Sequence, residues 1–196
     1  MITDTLVMAT NNNHKTEEVR AILGQLPVTV KSLRDFPPYP EPAEDGLTLE
    51  ENAFIKARAA FRQTGLPAMA DDTGLEVYYL LGAPGVFSAR YAGEDATYEE
   101  NFRKLLRALV QVPERKRQAR FRCAIAYVDK TREECFEGKV EGKILLAPRG
   151  TSGFGYDPVF QPEGYDRTFA ELTAEEKNTI SHRGRAIRSF IEFIRQ

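Results

Sequence analysis

The stretch PAMADDTG, residues 67–74, gives the clearest indication of the fold. Its proline is followed by Ala68 to Ala70, a short apolar run that predicts a buried strand. The run ends at two neighbouring carboxylates, Asp71 and Asp72. Functional side chains in α/β folds commonly lie at the ends of strands. We therefore expect a strand from Ala68 to Ala70 whose end presents an acidic pair to a functional site.

Upstream of this stretch, strand and helix patterns alternate. Leu6 to Ala9 is a short apolar run, after which Val19, Ile22 and Leu23 recur at helical spacing. A second strand is predicted from Val28 to Leu33. The order of strand, turn, helix and strand is typical of an α/β protein.

A proline-rich loop then leads into a long helix. Residues 36–46 contain four prolines and several acidic side chains, a composition that excludes regular structure. Thr48 and Glu51 match a capping box, so a helix is predicted to begin there. Its apolar face ends at Gly65, which predicts the end of the helix.

Downstream of the acidic pair, the pattern changes to a flexible segment, a helix and two strands. The segment from Gly82 to Gly93 is predicted to be a boundary between two lobes, and a helix is predicted from Thr97 to Val110. Arg120 to Asp129 and Cys135 to Leu146 predict an antiparallel hairpin. A final helix carries an apolar stripe over residues 187–194. We expect one α/β domain over the whole chain.

Composition limits the function classes. The chain has 196 residues, of which 42% are hydrophobic and 29% charged, as in ordinary globular proteins. A net charge of -2 gives no general reason to expect a nucleic acid or a membrane as the partner. The run Arg115 to Arg117, with Arg120 and Arg122, leaves an RNA-binding face as an alternative. A short charge run is more often a solvated surface.

The cysteines and the N-terminus indicate a reduced, soluble protein. Cys123 and Cys135 have no His or further Cys at metal-ligand spacing, so neither a zinc site nor a disulfide framework is predicted. The N-terminus lacks a basic start followed by a long apolar region, and nowhere do about 18 uncharged apolar residues run together. We expect a cytoplasmic location.

A polar cluster follows the first predicted strand. Backbone N–H groups at a helix start favour an anion, and Lys15 adds a full positive charge. The glycines of a Walker loop are absent from the sequence of this cluster. The cluster therefore predicts either a phosphate site or an asparagine-rich helix cap. Its members are Thr10, Asn11, Asn12, Asn13, His14 and Lys15.

The acidic pair also allows two interpretations. Adjacent carboxylates repel each other unless a cation or hydrogen bonds compensate them. Magnesium takes oxygen ligands, often one or two carboxylates completed by waters and substrate phosphates. Asp71 and Asp72 therefore predict either a magnesium site or a cap for the next helix or turn. Glu41, Glu44 or Asp45 of the proline-rich loop could add a metal ligand.

Two further clusters lie in the C-terminal part. Residues 150–158 combine a glycine-rich loop with Phe154, which could stack on a nucleobase, and Asp157, which could accept hydrogen bonds from it. The alternative is a loop that closes against the core. Lys177 and the run Ser181 to Arg185 supply donors for a keto oxygen or a phosphate, or else form a solvated helix start.

Six motifs in sequence order resemble one known family. The chain is similar to the non-canonical purine nucleoside triphosphate pyrophosphatases of the inosine triphosphatase type, over nearly its whole length. Glu44 is the best match in the loosely aligned acidic loop. The matching motifs are Thr10-x-Asn12-x-x-Lys15, Glu51-Asn52-Ala53, Ala70 to Leu75, Gly82 to Tyr91, Gly153 to Pro158 and Ser181-His182-Arg183-Gly184.

This resemblance implies a fold, an activity and a cofactor. The implied fold is a long mixed β-sheet flanked by helices, in two lobes with the nucleotide cleft between them, in a homodimer. The implied activity is Mg²⁺-dependent hydrolysis of inosine, deoxyinosine and xanthosine triphosphates (ITP, dITP and XTP) to the monophosphate and pyrophosphate. Asp72 would bind the metal and activate the water, with Glu44 and Asp71 assisting the metal.

The resemblance also implies which residues bind the substrate. A non-catalytic purine nucleotide sensor is the alternative, but a sensor does not need the carboxylate pair. The phosphates would contact Thr10, Asn11, Asn12, Asn13, His14 and Lys15, Thr73 would also contact the substrate, and the base pocket would contain Phe154, Gly155, Tyr156, Asp157, Lys177, Ser181, His182 and Arg183.

Overall fold

The computed structural model describes residues 5–24 and 26–195, in which one sheet of seven strands is accompanied by five α-helices. The strands are β1 (Thr5–Met8), β2 (Thr29–Ser32), β3 (Ala68–Val77), β4 (Pro84–Gly85), β5 (Gln118–Val128), β6 (Glu133–Ile144) and β7 (Phe160–Pro162). The helices are α1 (Asn13–Leu23), α2 (Leu49–Thr64), α3 (Tyr98–Ala108), α4 (Ala174–Ile180) and α5 (His182–Ile194).

The sheet is mixed, which confirms the predicted α/β class. Its strand order is β2-β1-β3-β5-β6-β7, with β4 paired to β3. β1 pairs parallel with both β2 and β3, and α1 provides the crossover between β1 and β2 that a parallel pair needs. β3 and β4 pair antiparallel, as do β6 and β7.

The predicted hairpin is confirmed in β5 and β6. Near the turn, the Asp129 N–H donates to the Arg132 carbonyl at 3.0 Å, and at the far end the Ile144 N–H donates to the Arg117 carbonyl at 2.9 Å. The residue numbers of the two hydrogen-bonded pairs, 129 with 132 and 117 with 144, add up to the same value. An antiparallel pair of strands with one continuous register requires this equality. Such a short connection could not join two parallel strands.

The predicted strand around the acidic pair was too short. β3 runs for ten residues, from Ala68 to Val77, so Asp71 and Asp72 lie within the strand rather than at its end. Consecutive strand residues point to opposite faces of a sheet, so the two carboxylates are not side by side. Both are buried, Asp71 completely. A strand tolerates buried carboxylates where cations compensate them, and the ion pairs described below do so.

The predicted helices are largely confirmed. The Thr48–Glu51 capping box begins α2, and Gly65, with a φ of 69°, ends it in the left-handed region that favours glycine. Residues 36–46 contain neither helix nor strand, as their prolines predict. Lys177, however, lies in the separate short helix α4, whose C-cap is Ser181, and not in the last helix.

The chain forms two compact units, each with its own apolar core. Unit 1 comprises the described residues up to 72, residues 123–138 and those from 183 onward; unit 2 comprises residues 73–122 and 139–182. The core of unit 1 includes Leu6, Met8, Val19, Leu23, Met69, Ile125, Tyr127, Ile187 and Phe190. The core of unit 2 includes Leu75, Leu105, Leu109, Phe121, Val159, Phe160 and Phe169.

The lobe boundary predicted at Gly82 to Gly93 is wrong, because this whole segment belongs to unit 2. Its turn residues fix the chain against β3: the Val77 N–H donates to the Ala83 carbonyl at 3.1 Å, and Gly85 pairs with Leu75. Glycine and proline here make a hydrogen-bonded turn and a short strand.

Among the described helices, none combines the length and apolar character needed to cross a membrane.

Candidate active site

The asparagine-rich cluster caps helix α1. The Asn12 side-chain oxygen accepts hydrogen bonds from the backbone N–H groups of His14, at 3.0 Å, and Lys15, at 3.4 Å. The cap interpretation is therefore confirmed, while phosphate binding by this segment stays a prediction. Asn11, Asn13 and His14 are exposed around the capped helix start, and Thr10 is half-buried before it.

Asp71 lies at the centre of a buried charge network in unit 1. Its carboxylate contacts the Lys15 ammonium at 3.1 Å on one oxygen and the Arg183 guanidinium at 2.9 Å on the other. Arg183 also pairs with Glu18. Burial on its own raises the pKa of Asp71, but the charges of Lys15 and Arg183 hold this pKa well below its usual range. Asp71 is therefore an anion at neutral pH.

Arg183 was predicted to contact the base, whereas the structure places it in this network. Its Nε and Nη2 both donate to one oxygen of Asp71, at 3.1 and 2.9 Å. The side chain is almost completely buried. The position of Arg183 in unit 1 supports a role as the counterion of Asp71, and its contact with a base stays a prediction.

A second group of charges surrounds Asp72. The Lys56 ammonium contacts Asp72 Oδ1 at 2.8 Å and Glu44 Oε2 at 3.1 Å. Burial would lower the pKa of Lys56, but the carboxylates of Asp72 and Glu44 raise it above its ordinary value. Lys56 is therefore positively charged at neutral pH, and one ammonium group bridges the two carboxylates that were predicted to hold magnesium.

The sequence interpretation missed Lys56. Its position on α2 carries a recognisable signal, because Ala53, Ala57 and Ala60 form the buried stripe of this helix and Lys56 lies within the same stripe. A lysine on an apolar helix face needs a buried partner or a function. The predicted loop carboxylate, Glu44, and the predicted strand carboxylate, Asp72, are the partners that the structure supplies.

Burial dominates the acid–base properties of Asp72. Loss of solvation raises the pKa of Asp72 above its ordinary value, and the charges of Lys56 and Lys15 offset only part of this rise. A carboxylate with a raised pKa is a better proton acceptor than an ordinary aspartate. No group of three or more His, Cys, Asp or Glu residues within the described ranges could hold a metal ion by itself. Glu44 and Asp72 remain a pair of carboxylates that converge on one cation.

The predicted base-binding loop forms a compact polar cluster in unit 2. Asp157 Oδ2 accepts hydrogen bonds from the Phe154 N–H at 2.9 Å and from the Lys177 ammonium at 2.6 Å. The same ammonium lies 4.7 Å from the centroid of the Phe154 ring, within cation–π distance. Phe154 is half-buried, whereas Asp157 and Lys177 are buried. The structure thus brings together three of the predicted base-pocket residues.

The remaining predicted residues of unit 2 have structural contacts. The Tyr156 hydroxyl donates to the Ser88 carbonyl at 2.9 Å, and the Ser88 hydroxyl accepts from the Leu75 N–H of β3 at 2.9 Å. The His182 ring stacks on Phe121, with 4.6 Å between ring centroids. Gly155 and Thr73 are half-buried, and Ser181 is buried. Substrate contacts for these residues stay predictions.

Comparisons with known proteins define the class. The Ham1 family model matches residues 6–193. A dITP/XTP pyrophosphatase from Geobacter sulfurreducens is 54% identical over 183 residues, covering 93% of this chain and 92% of the relative. The solved structure of a HAM1 protein from Coxiella burnetii has a TM-score of 0.89 and 43% identity, covering 99% of this chain and 98% of its own.

A third comparison agrees. The crystal structure of a nucleoside-triphosphatase / dITP/XTP pyrophosphatase from Mycobacterium abscessus has a TM-score of 0.76 and 43% identity, covering 95% of this chain and 97% of its own. Because the chain matches curated pyrophosphatases at about half identity over nearly its whole length, it is an enzyme of the pyrophosphatase class. The chain belongs to the Ham1 family.

Proposed function

We propose that this chain hydrolyses ITP, dITP and XTP to the corresponding monophosphate and pyrophosphate, and so removes deaminated purines from the nucleotide pool. Curated relatives at about half identity, from Geobacter sulfurreducens and Thermoanaerobacter pseudethanolicus, are named dITP/XTP pyrophosphatases. These names agree with the purine triphosphate that the sequence motifs predict.

One observation carries the proposal: two half-buried lysines contact the adjacent carboxylates of β3. Lys15 contacts Asp71 and Lys56 contacts Asp72, at 3.1 and 2.8 Å. Phosphoryl-group chemistry depends mostly on positioning and charge stabilisation, which lysine ammonium groups supply to phosphate oxygens. The Asp72 carboxylate, which lies next to Lys56, can orient a water molecule. A non-catalytic sensor has no need of that carboxylate.

The donor set fits a magnesium ion. Glu44 and Asp72 already share one cation, and magnesium commonly uses one or two carboxylates with waters and phosphates. Glu44 and Asp72 would hold it, while Asp71 is engaged with Lys15 and Arg183. When bound, magnesium would neutralise part of the triphosphate charge.

In the proposed mechanism, Asp72 orients a water molecule and takes its proton. Its raised pKa suits this role, because a proton acceptor works best when its pKa approaches the working pH. Lys15, near the capped start of α1, neutralises charge that develops on the departing pyrophosphate. Attack of the water on the α-phosphate leaves the nucleoside monophosphate and pyrophosphate.

Selection of the base is assigned to the cluster of Phe154, Asp157 and Lys177. Phe154 would stack on the purine, and Lys177 would donate to its 6-keto oxygen. Adenine carries an amino group at that position, so the Lys177 ammonium and the adenine amino group would both be hydrogen-bond donors and could not pair. An unpaired buried donor costs about 1–3 kcal/mol, which favours hypoxanthine and xanthine over adenine.

A substrate panel tests the proposed activity. Pyrophosphate release from ITP, dITP, XTP, ATP and GTP is measured with and without Mg²⁺. We expect Mg²⁺-dependent turnover of the first three substrates and much slower turnover of ATP. Nucleotide binding without pyrophosphate release would instead support a sensor.

The role of Asp72 is tested by Asp72→Asn. This change keeps the shape of the side chain but removes its proton-accepting charge, so turnover of ITP should fall about 10²- to 10⁴-fold. The exposed Asp95, changed to Asn, is a control with the same loss of charge. Near-normal turnover of the Asp72→Asn variant would contradict the assignment of the base.

A further inference from the structure

Lys56 occupies the place in the charge network where a metal ion would be expected. Its ammonium group lies 2.8 Å from Asp72 Oδ1 and 3.1 Å from Glu44 Oε2. The side chains of Lys56 and Asp72 are only 12% and 11% exposed, so solvent does little to weaken the contact between them. The lysine therefore acts as a built-in cation for two carboxylates of the candidate metal site.

We propose that Lys56 and a divalent cation compete for Glu44 and Asp72, so that the nucleotide-free protein binds the metal weakly. The competition ends when phosphate oxygens offer the ammonium group another partner. The inference rests on the proposed function, because it takes Glu44 and Asp72 as the metal carboxylates. It makes metal binding depend on the nucleotide.

The charges of the site support this competition. Lys15, Lys56 and Arg183 face the carboxylates of Asp71, Asp72, Glu44 and Glu18, so three positive charges meet four negative ones. A divalent ion that enters alone must share Glu44 and Asp72 with the Lys56 ammonium, whose like charge lies within 3.1 Å of both carboxylates and opposes its approach. A triphosphate that enters with the metal ion offers its anionic oxygens to the Lys56 ammonium, so the local repulsion between the ammonium group and the metal ion is relieved.

The structure of lysine allows such an exchange. Helix α2 fixes the Lys56 backbone, because Ala53, Ala57 and Ala60 on the same stripe are completely buried. The ammonium group, in contrast, is carried on a flexible four-carbon stem with three donors. It can move from carboxylate to phosphate oxygens without a shift of the helix. Magnesium binds carboxylate oxygens at about 2.0–2.1 Å, so it requires a closer approach than the ammonium group makes.

The test measures metal binding without nucleotide and without turnover. Mn²⁺ is titrated into the nucleotide-free protein, and the free ion is followed by electron paramagnetic resonance. Lys56→Met keeps much of the apolar stem and removes the charge. We expect this variant to bind Mn²⁺ about tenfold or more tightly than the wild type, because the competing cation is gone. Equal or weaker binding would overturn the proposal.

Three further variants define the site and the specificity of the effect. Lys56→Gln should tighten Mn²⁺ binding in the same direction, which keeps the test valid if the methionine variant folds poorly. Arg62→Met removes one charge from an exposed position on the same helix and should leave Mn²⁺ binding unchanged. Adding Glu44→Gln to Lys56→Met should abolish the gain, and a gain that persists would place the metal elsewhere.

The outcomes separate this inference from the proposed function. If ITP hydrolysis proves independent of divalent metal in the substrate panel, the metal part of the proposed function fails. If hydrolysis requires Mg²⁺ but Lys56→Met does not tighten Mn²⁺ binding, the proposed function stands and the competition alone is wrong.

Discussion

At the scale of single residues, the two adjacent aspartates have different surroundings and different properties. Asp71 contacts Lys15 and Arg183, and its pKa is held well below the usual range. Asp72 contacts Lys56, and its pKa is raised by burial. Alternation along β3 separates them, since neighbouring strand residues face opposite sides. One carboxylate therefore suits the role of a fixed counterion and the other that of a proton acceptor.

Asp71→Asn should destabilise the protein by about 3–5 kcal/mol at pH 7, because it leaves buried cations without their counterion. Since the folded-state pKa of Asp71 is depressed, its stabilising effect is fully present above the unfolded pKa of about 4 and is lost progressively as the pH falls from there toward the folded-state pKa. The gap between wild type and variant should therefore narrow at low pH. Denaturant unfolding at pH 7 and at about pH 2.5, well below the unfolded pKa, measures this difference.

The exposed Asp95→Asn variant provides the control, and its stability should follow the wild type at both pH values. A gap between Asp71→Asn and wild type that stays constant between the two pH values would show that the carboxylate charge is not what stabilises this network.

At the scale of elements, the loop of residues 150–158, which we propose binds the base, depends on one close approach of its backbone. Gly153 has a φ of 75°, and a Cβ atom at this position would lie 2.2 Å from Asp157 Oδ2. That oxygen accepts hydrogen bonds from Phe154 and Lys177. The absence of a side chain at Gly153 therefore allows Asp157 to organise the loop. Gly155 also has a positive φ, 63°, but its Cβ would meet no atom within 4 Å.

Gly153→Ala should impair base binding more than Gly155→Ala does. Both changes place alanine in the left-handed region, at a cost of about 1–2 kcal/mol each, but only the first displaces the Asp157 carboxylate. We expect the KM for ITP to rise about tenfold more in Gly153→Ala than in the matched control. Steady-state kinetics with thermal melts of both variants give the comparison. Equal KM values would show that Asp157 does not organise the base site.

At the scale of the whole molecule, the chain order does not follow the division into units. Strands β3, β5 and β6 each contribute residues to both units, so neither unit is one continuous piece of chain. Each unit nevertheless has its own buried apolar cluster, which is the condition for a compact structure. Family resemblance predicts in addition that two chains associate.

The predicted homodimer is tested by light scattering on the purified protein. We expect twice the mass of one chain, persisting on dilution to the micromolar concentrations at which activity is measured. Symmetric dimers are the commonest oligomers of soluble proteins. A single-chain mass across that range, with full activity, would contradict the prediction.

The class of fold and most of its elements follow from local signals in the amino-acid sequence. Hydrophobic periodicity located α1, α2, α3 and α5 but not the short α4. The Thr48–Glu51 capping box and Gly65 marked both ends of α2, because these signals act within a few residues along the chain. The short turn after Asp129 likewise specified an antiparallel hairpin. Local signals of this kind do not require knowledge of the rest of the fold.

The pairing of the charges, in contrast, depends on the three-dimensional fold. β3 continues through Asp71 and Asp72 because Lys15, Lys56 and Arg183, distant in sequence, reach these carboxylates in the folded chain. The pairing of Lys56 with Asp72 and that of Arg183 with Asp71 follow from the same folding. Electrostatic energy depends on distance in space and on burial, and neither quantity is written in the order of the residues.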